Sequence, residues 1–323
     1  MKVLLIQRRS LGDALYTALV GEVIKREIPG AGVDFLTLPF AVDFFNSYRF
    51  IDKAIPDRGI LGNIKAIFGR YDAVLDYEAT FRTYPVVLFS KAKHRIAFYR
   101  KSRERLLYPI YNRFVEYRNF GFTFWDRLKL LEPLGVKVDK YITDRFLPKF
   151  QLKEDVRRKN YRDLYGDYIV FTPKGVIPTK ELKPEVVKDL YEKIRDKFGI
   201  NVVVAVEPKE KVYIESLKRL GLEVFSADLL SFTNLLAGAK ALLSIESFPY
   251  HLALLLRVPS LVIVQGYDIW FKERFGLIEE YRPPLDCIPC WNKDSCLRGD
   301  FACTREVESE VILQKLGKIL SNR

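Results

Sequence analysis

The sequence predicts an α/β protein made of two Rossmann-like, doubly wound parallel-sheet domains facing each other across a cleft. Three observations carry this expectation. Apolar runs such as "KVLLIQ", "NVVVAV" and "SLVIV" are continuous rather than alternating, which marks strands buried on both faces. Segments of helical period separate these runs, and strand followed by helix implies parallel connections. The alternation restarts after a polar stretch near residues 150–166, and 323 residues suit two ordinary domains better than one.

Taken in order, "KVLLIQR" reads as a first strand and "SLGD" as a turn. The helix "ALYTALVGEVIKREI" then stops at Pro29-Gly30. "GVDFLTL" is a second strand, "AVDFFNSY" and "NIKAIFGRY" are helices, "DAVLDY" a strand, "PVVLFSKA" a helix and "HRIAFY" a strand. A polar helical stretch, "KEDVRRKNYRDLYG", separates the halves. Strand "DYIVFTP", helix "KPEVVKDLYEKIRDKF", strand "NVVVAVE" and helix "KEKVYIESLKRLG" open the second half. Strand "EVFSA", helix "SFTNLLAGAK", strand "ALLSIE", helix "PYHLALLLR" and strand "PSLVIVQG" complete it. "EVESEVILQKLGKILSN" reads as a terminal amphipathic helix. The expected boundaries are a domain over 1–155, a second over 156–305 and a helix over 306–323.

A hydrophobic fraction of 49% lets each half bury a core, and no segment has a disordered composition. The chain enters "KVLLIQ" without a secretory pattern, and its longest apolar runs are too short to span a bilayer. A soluble, cytoplasmic protein is expected. The formal charge of +12 points to anionic partners. Residues 91–130 concentrate it, with 11 Lys or Arg against 3 Asp or Glu, among many aromatics. Such a window either grips a polyanion or lipid interface, or is a solvated face over core aromatics. No RNA- or DNA-binding signature accompanies it.

Two turns draw attention. "RRSLGDALYTAL" follows the first strand without a dinucleotide fingerprint or a Walker A loop, which argues against a dehydrogenase or P-loop NTPase. Gly12 allows a tight turn, and Asp13 either caps the helix or serves as a general base. "SIESFPYHLA" passes from a buried strand through Glu246, Ser247, Phe248 and Pro249 into a helix holding Tyr250 and His251. A helix start directly after a sheet strand is where α/β proteins hold phosphates. Taken alone, His251 reads as a locally bonded histidine under the sheet and Lys180 as an exposed loop lysine.

Together these blocks resemble the ADP-heptose:lipopolysaccharide heptosyltransferases, glycosyltransferase family 9. "KVLLIQRRSLGDALYTAL" is similar to that family's opening strand, Arg-x-Ser-Ser-x-Gly-Asp and helix. "FTPKGVIPTKELKPEVVKDL" resembles its Lys-x-Trp-Pro block, with Lys180 at the lysine and Leu182 in place of the Trp. "AKALLSIESFPYHLALLLRVPSLVIVQG" resembles its Asp-Thr/Ser-Gly-x-x-His-Leu-Ala block. There Glu246 replaces Asp and Phe248 replaces Gly, while Tyr16 replaces the usual residue after the first turn. The blocks lie in the family's order across nearly the full chain.

The resemblance implies an inverting GT-B glycosyltransferase moving a heptose or related sugar from an ADP-sugar to an anionic lipopolysaccharide core acceptor. No cofactor is implied for catalysis. Asp13 would be the base, and Lys180, Glu246, Ser247, Tyr250 and His251 would hold the donor. Arg8, Arg9, Ser10 and Gly12 would serve phosphate or acceptor. The basic window would become the acceptor side, with peripheral association at the inner membrane face. Alternatives are a GT-B enzyme using another sugar nucleotide or acceptor, a member that binds without turnover, and a non-enzymatic nucleic-acid-binding protein.

All four cysteines, Cys287, Cys290, Cys296 and Cys303, fall in "CIPCWNKDSCLRGDFAC". One reading is a structural zinc tetrathiolate, although the pairs lie closer than in a zinc ribbon. The other is one or two disulfides.

Overall fold

The computed structural model describes residues 1–99, 109–156, 158–266, 269, 275–291 and 295–321. The chain divides into two compact units, Met1–Val156 and Arg157–Arg323.

The first unit begins with β1 (Lys2–Ile6), α1 (Leu11–Glu27), β2 (Gly32–Thr37), α2 (Val42–Asn46) and β3 (Lys53–Pro56). It continues through α3 (Gly59–Ile67), β4 (Ala73–Asp76), α4 (Tyr84–Phe89), β5 (His94–Tyr99), β6 (Arg113–Glu116) and α5 (Thr123–Leu128). The strands form one parallel sheet in the order β3-β2-β1-β4-β5-β6. Leu4, Ile6, Leu36 and Val74 pack with Ile67 of α3 and with Val86 and Val87 of α4. Helix α1 is buried without a break from Ala14 to Ile24, and α5 packs against it. That explains a helix apolar on nearly every side. Its one buried acid, Glu22, pairs with Arg26 at 2.6 Å.

The second unit runs through α6 (Arg162–Tyr165), β7 (Tyr168–Thr172), α7 (Pro184–Phe198), β8 (Asn201–Ala205), α8 (Lys211–Arg219) and β9 (Val224–Phe225). It ends with α9 (Leu229–Gly238), β10 (Ala241–Ile245), α10 (Phe248–Leu256), β11 (Ser260–Ile263), β12 (Ile278–Tyr281) and α11 (Ser309–Ser321). Its sheet is again parallel, in the order β12-β11-β10-β7-β8-β9. Ile312, Leu313, Leu316 and Ile319 of α11 complete the apolar layer made by α7, α8 and the sheet. Each order reads 3-2-1-4-5-6 within its own unit, the Rossmann arrangement.

The sequence reading misses β3, β6 and β12. All three are four-residue edge strands, and their sequences "KAIP", "RFVE" and "IEEY" lack a continuous apolar run. It also overextends the polar helix between the halves, because only Arg162–Tyr165 is helical among the described residues there. The basic window 91–130 is not one surface. Part of it, 100–108, lies outside the described residues. In the rest, Tyr111, Phe122, Phe124 and Trp125 are buried in the first unit's core. Burial of these large rings stabilises the fold more than exposure would, so they are not available as a stacking or lipid-contacting row.

No described helix is long and apolar enough to cross a membrane.

Candidate functional site

Doubly wound sheets bind ligands beyond the carboxyl ends of the strands, where the strand order reverses. In the first unit that point lies between β1 and β4, and in the second between β7 and β10. Asp13 is near the first point; Lys180, Glu246 and Ser247 follow the strands of the second.

In the first unit, Ser10 precedes α1 with φ 54°, so the left-handed turn falls on Ser10 while Gly12 is helical. A non-glycine residue in that region is uncommon and stores local strain. Asp13 sits in the first helical turn with its side chain 46% exposed, and Arg127 of α5 donates to its Oδ1 at 2.6 Å. Oδ2 has no hydrogen-bond partner among the described residues. Arg127 also reaches Gln7 Oε1 at 3.4 Å and lies over the Tyr77 ring, so its guanidinium is held from three sides. Sequence reasoning missed Arg127, which stands 114 positions from Asp13 and is one cation among many in a basic window.

Arg8 differs from expectation. Its buried side chain pairs with Glu78 at 2.9 Å and Asp57 at 3.3 Å, so its charge is neutralised inside the unit rather than offered to a phosphate. Burying a guanidinium without such partners would be costly, which is why two carboxylates surround it. Arg9 and Ser10 remain exposed.

In the second unit, the segment after β7 folds back on itself. Gly175 N donates to Lys180 O at 2.7 Å, and Leu182 N donates to Pro173 O at 2.9 Å. Leu182 is fully buried in the apolar layer with Tyr213, and that packing anchors the end of the loop. The loop brings Thr179 and Lys180 to Gly266, which follows β11. A Cβ placed at Gly266 would stand 3.4 Å from Thr179 Oγ1, 3.6 Å from Glu246 Oε1 and 3.9 Å from Lys180 Cε. Gly266 thus marks the point where these three groups converge.

Glu246 is buried, and its two oxygens accept from Gln265 N at 2.9 Å and Gly266 N at 2.6 Å. Burial raises its pKa, while the Lys180 charge and the two backbone donors act in the opposite direction. The carboxylate expected to face sugar or ribose hydroxyls therefore holds the loop after β11.

Ser247 precedes α10 without capping it, and its buried hydroxyl has no partner among the described residues. Thr179 Oγ1 is likewise buried and, among the described residues, unpartnered, on a residue 2% exposed. By contrast, Asp228 caps α9 through the N–H groups of Leu230 and Ser231. Sequence reasoning missed Thr179; only its position beside Lys180 could have signalled it. Tyr250 is buried with its ring 3.9 Å, centre to centre, from that of His251. Desolvation, with the Lys180 charge adding to it, pushes His251 down to about 3, so the imidazole is neutral at pH 7. A lysine, two hydroxyls without partners among the described residues and the positive end of a helix dipole are groups suited to a diphosphate.

The four cysteines are free thiols, with Cys303 buried and the others partly exposed. Desolvation and the neighbouring Cys287, Cys296 and Cys290 push Cys303 up to about 12. Among the described residues, no three His, Cys, Asp or Glu are placed to hold a metal ion. No disulfide joins any two of the four.

Comparison with known proteins bears on the family and the fold. The sequence profile of glycosyltransferase family 9 (heptosyltransferase) matches residues 63–264. E. coli ADP-heptose lps heptosyltransferase II superposes with a TM-score of 0.79 at 17% identity, over 100% of this chain and 99% of that one. E. coli heptosyltransferase WaaC with ADP gives 0.72 at 19%, over 98% and 97%. The family 9 glycosyl transferase from Veillonella parvula gives 0.77 at 14%, over 100% and 98%. No curated protein sequence matches. With the profile spanning more than half of its length, the chain belongs to glycosyltransferase family 9, the heptosyltransferases, and is a glycosyltransferase with the GT-B fold.

Proposed function

We propose that the protein transfers a heptose, or a closely related sugar, from an ADP-sugar to a hydroxyl of an anionic lipopolysaccharide core acceptor, with inversion at the anomeric carbon. The observation that carries this reading is the group at the β7–β10 switch point: Lys180 and Thr179 converge with Glu246 at Gly266, Ser247 opens α10, and the buried Thr179 and Ser247 hydroxyls have no partner among the described residues. A similar solved structure, heptosyltransferase WaaC, is described with ADP.

In this reading the diphosphate of the donor lies at Lys180 and the N-terminus of α10. Negative charge grows on the β-phosphate as the glycosidic bond breaks, and Lys180, the two hydroxyls and the helix end stabilise it. Neutral His251 donates or accepts a hydrogen bond there without adding charge. Glu246 acts through Gly266 and Gln265, holding the loop that keeps Lys180 and Thr179 in place. On the acceptor side, Arg127 engages one oxygen of Asp13, and the other takes the proton of the attacking hydroxyl. Arg9 and Ser10 border that acceptor site. The acceptor's lipid anchor places the enzyme at the cytoplasmic face of the membrane as a peripheral protein.

The test is Asp13→Asn, assayed for transfer from ADP-heptose to a lipopolysaccharide core acceptor and for ADP binding by calorimetry. Transfer falls by roughly 10²-fold to 10⁴-fold, the contribution of a positioned base, while ADP affinity is unchanged. An active Asp13→Asn enzyme refutes the base assignment.

A further inference from the structure

Helices α3 and α4 pack side by side on one face of the first unit's sheet, and their outer surface is unusual. Leu61, Lys65 and Phe68 follow at helical spacing, so they form one stripe along and just beyond α3. All three are exposed, Leu61 at 81%. Leu88 and Phe89 at the end of α4 are also exposed, and the ammonium of Lys91 lies 4.7 Å from the centre of the Phe68 ring, joining the two helices into one patch. Phe81, 71% exposed, extends the apolar surface to the loop after β4. That loop lies at the same strand-end edge as the α1 turn that carries Asp13.

The charge carried by these helical segments has one sign. Segments 58–70 and 79–95, which supply both helices and their ends, contain seven Lys or Arg and no Asp or Glu. Among the described residues, no carboxylate pairs with Lys65, Arg70, Lys91 or Lys93. Isolated exposed apolar residues are ordinary on any surface, but a set carried on two adjacent helical segments whose charges are all cationic is not. Leucine and phenylalanine side chains gain by entering hydrocarbon, and the flanking cations gain at the negative surface of an anionic leaflet. A nucleic acid would use the cations but gain little from exposed leucines.

We infer that the outer face of α3 and α4 is the membrane-docking surface of this protein, and that its partner is a bilayer rich in anionic lipid. Leu61, Phe68, Leu88 and Phe89 enter the interface while Lys65, Arg70 and Lys91 meet the head groups. This surface keeps Lys91 of the 91–130 window but takes its apolar contacts from α3 and α4, because the window's described aromatics are mostly core. The inference rests on the reading that the acceptor is membrane-anchored and names the face that reaches it.

The experiment is co-sedimentation of the full chain with vesicles of phosphatidylcholine and phosphatidylglycerol, against vesicles of phosphatidylcholine alone, at low and high salt. The wild type binds the anionic vesicles at low salt and not the neutral ones. The pair K65E and R70E lowers its partition coefficient by about tenfold or more, since each cation near an anionic surface contributes several-fold. The pair L61S and F89S lowers it by a similar factor. Both variants keep wild-type ADP affinity and wild-type transfer to a soluble, lipid-free acceptor. That last assay separates failure of docking from failure of the transferase reading. The inference is overturned if the wild type does not bind, or if both variants bind like the wild type. It is overturned equally if RNA of matching charge binds more tightly than the vesicles, or if the apolar pair only converts a dimer to a monomer in sedimentation.

Discussion

Replacing Glu246 by glutamine tests the division of labour in the second unit. The carboxylate accepts from Gln265 N at 2.9 Å and from Gly266 N at 2.6 Å, and all three residues lie at the buried end of the sheet. A glutamine has the same shape but offers one carbonyl oxygen, so its amide nitrogen must face the other backbone N–H. One buried donor then loses its acceptor, a cost of about 1–3 kcal/mol, and the remaining bond loses its charge assistance, about 1 kcal/mol more. Against this, burial raises the pKa of Glu246, so a neutral side chain relieves part of its desolvation. The net expectation is a loss of about 2 kcal/mol, or about 4–8 °C in melting temperature for a unit of this size. Calorimetric melting of the variant, with and without ADP, is the assay. ADP affinity also falls, because Gly266 no longer holds its place beside Thr179 and Lys180. Glu246→Asp, one methylene shorter, reaches only one of the two donors and falls between the two proteins. A glutamine variant that melts with the wild type would refute the reasoning, and a stable variant with weakened ADP binding would return Glu246 to the role of direct ligand.

Three further expectations follow from the same geometry. Lys180→Ala weakens ADP binding and slows turnover together, each by about tenfold or more, and unchanged ADP affinity by calorimetry rejects its donor role. Arg127→Gln leaves ADP affinity intact but lowers kcat by roughly 10²-fold, because Asp13 loses the group that orients it; a change confined to KM would contradict this. His251 titrates at about 3 when folded and near 6.5 when unfolded, so between those values the unfolded chain binds the extra proton. Stability therefore falls as pH drops from about 6.5 towards 3, by up to about 1.4 kcal/mol per unit, with no contribution above that window. Denaturant unfolding of His251→Gln across this range shows a flatter slope, and an unchanged slope rejects the assignment.

The sequence by itself determined the two parallel sheets, because strands buried on both faces need continuous apolar runs, and "VLLI", "VVVA" and "ALLSI" leave no other economical reading. It also singled out the turns at Asp13 and at residues 246–251, since a strand end and a helix start are local features, whereas Lys180 was marked only by the family resemblance. Edge strands such as "IEEY" escaped because one side of an edge strand is unpaired, so no apolar run is required of it. Tertiary structure alone decided which charges are neutralised at home. Arg8 and Arg9 are neighbours in the sequence, yet only Arg8 turns inward to Glu78 and Asp57. Arg127 meets Asp13, and Glu246 turns to the backbone of Gln265 and Gly266, through contacts between residues distant in the chain. Whether a charge faces a ligand or a partner depends on which groups the sheet order brings beside it. No local spacing carries that information.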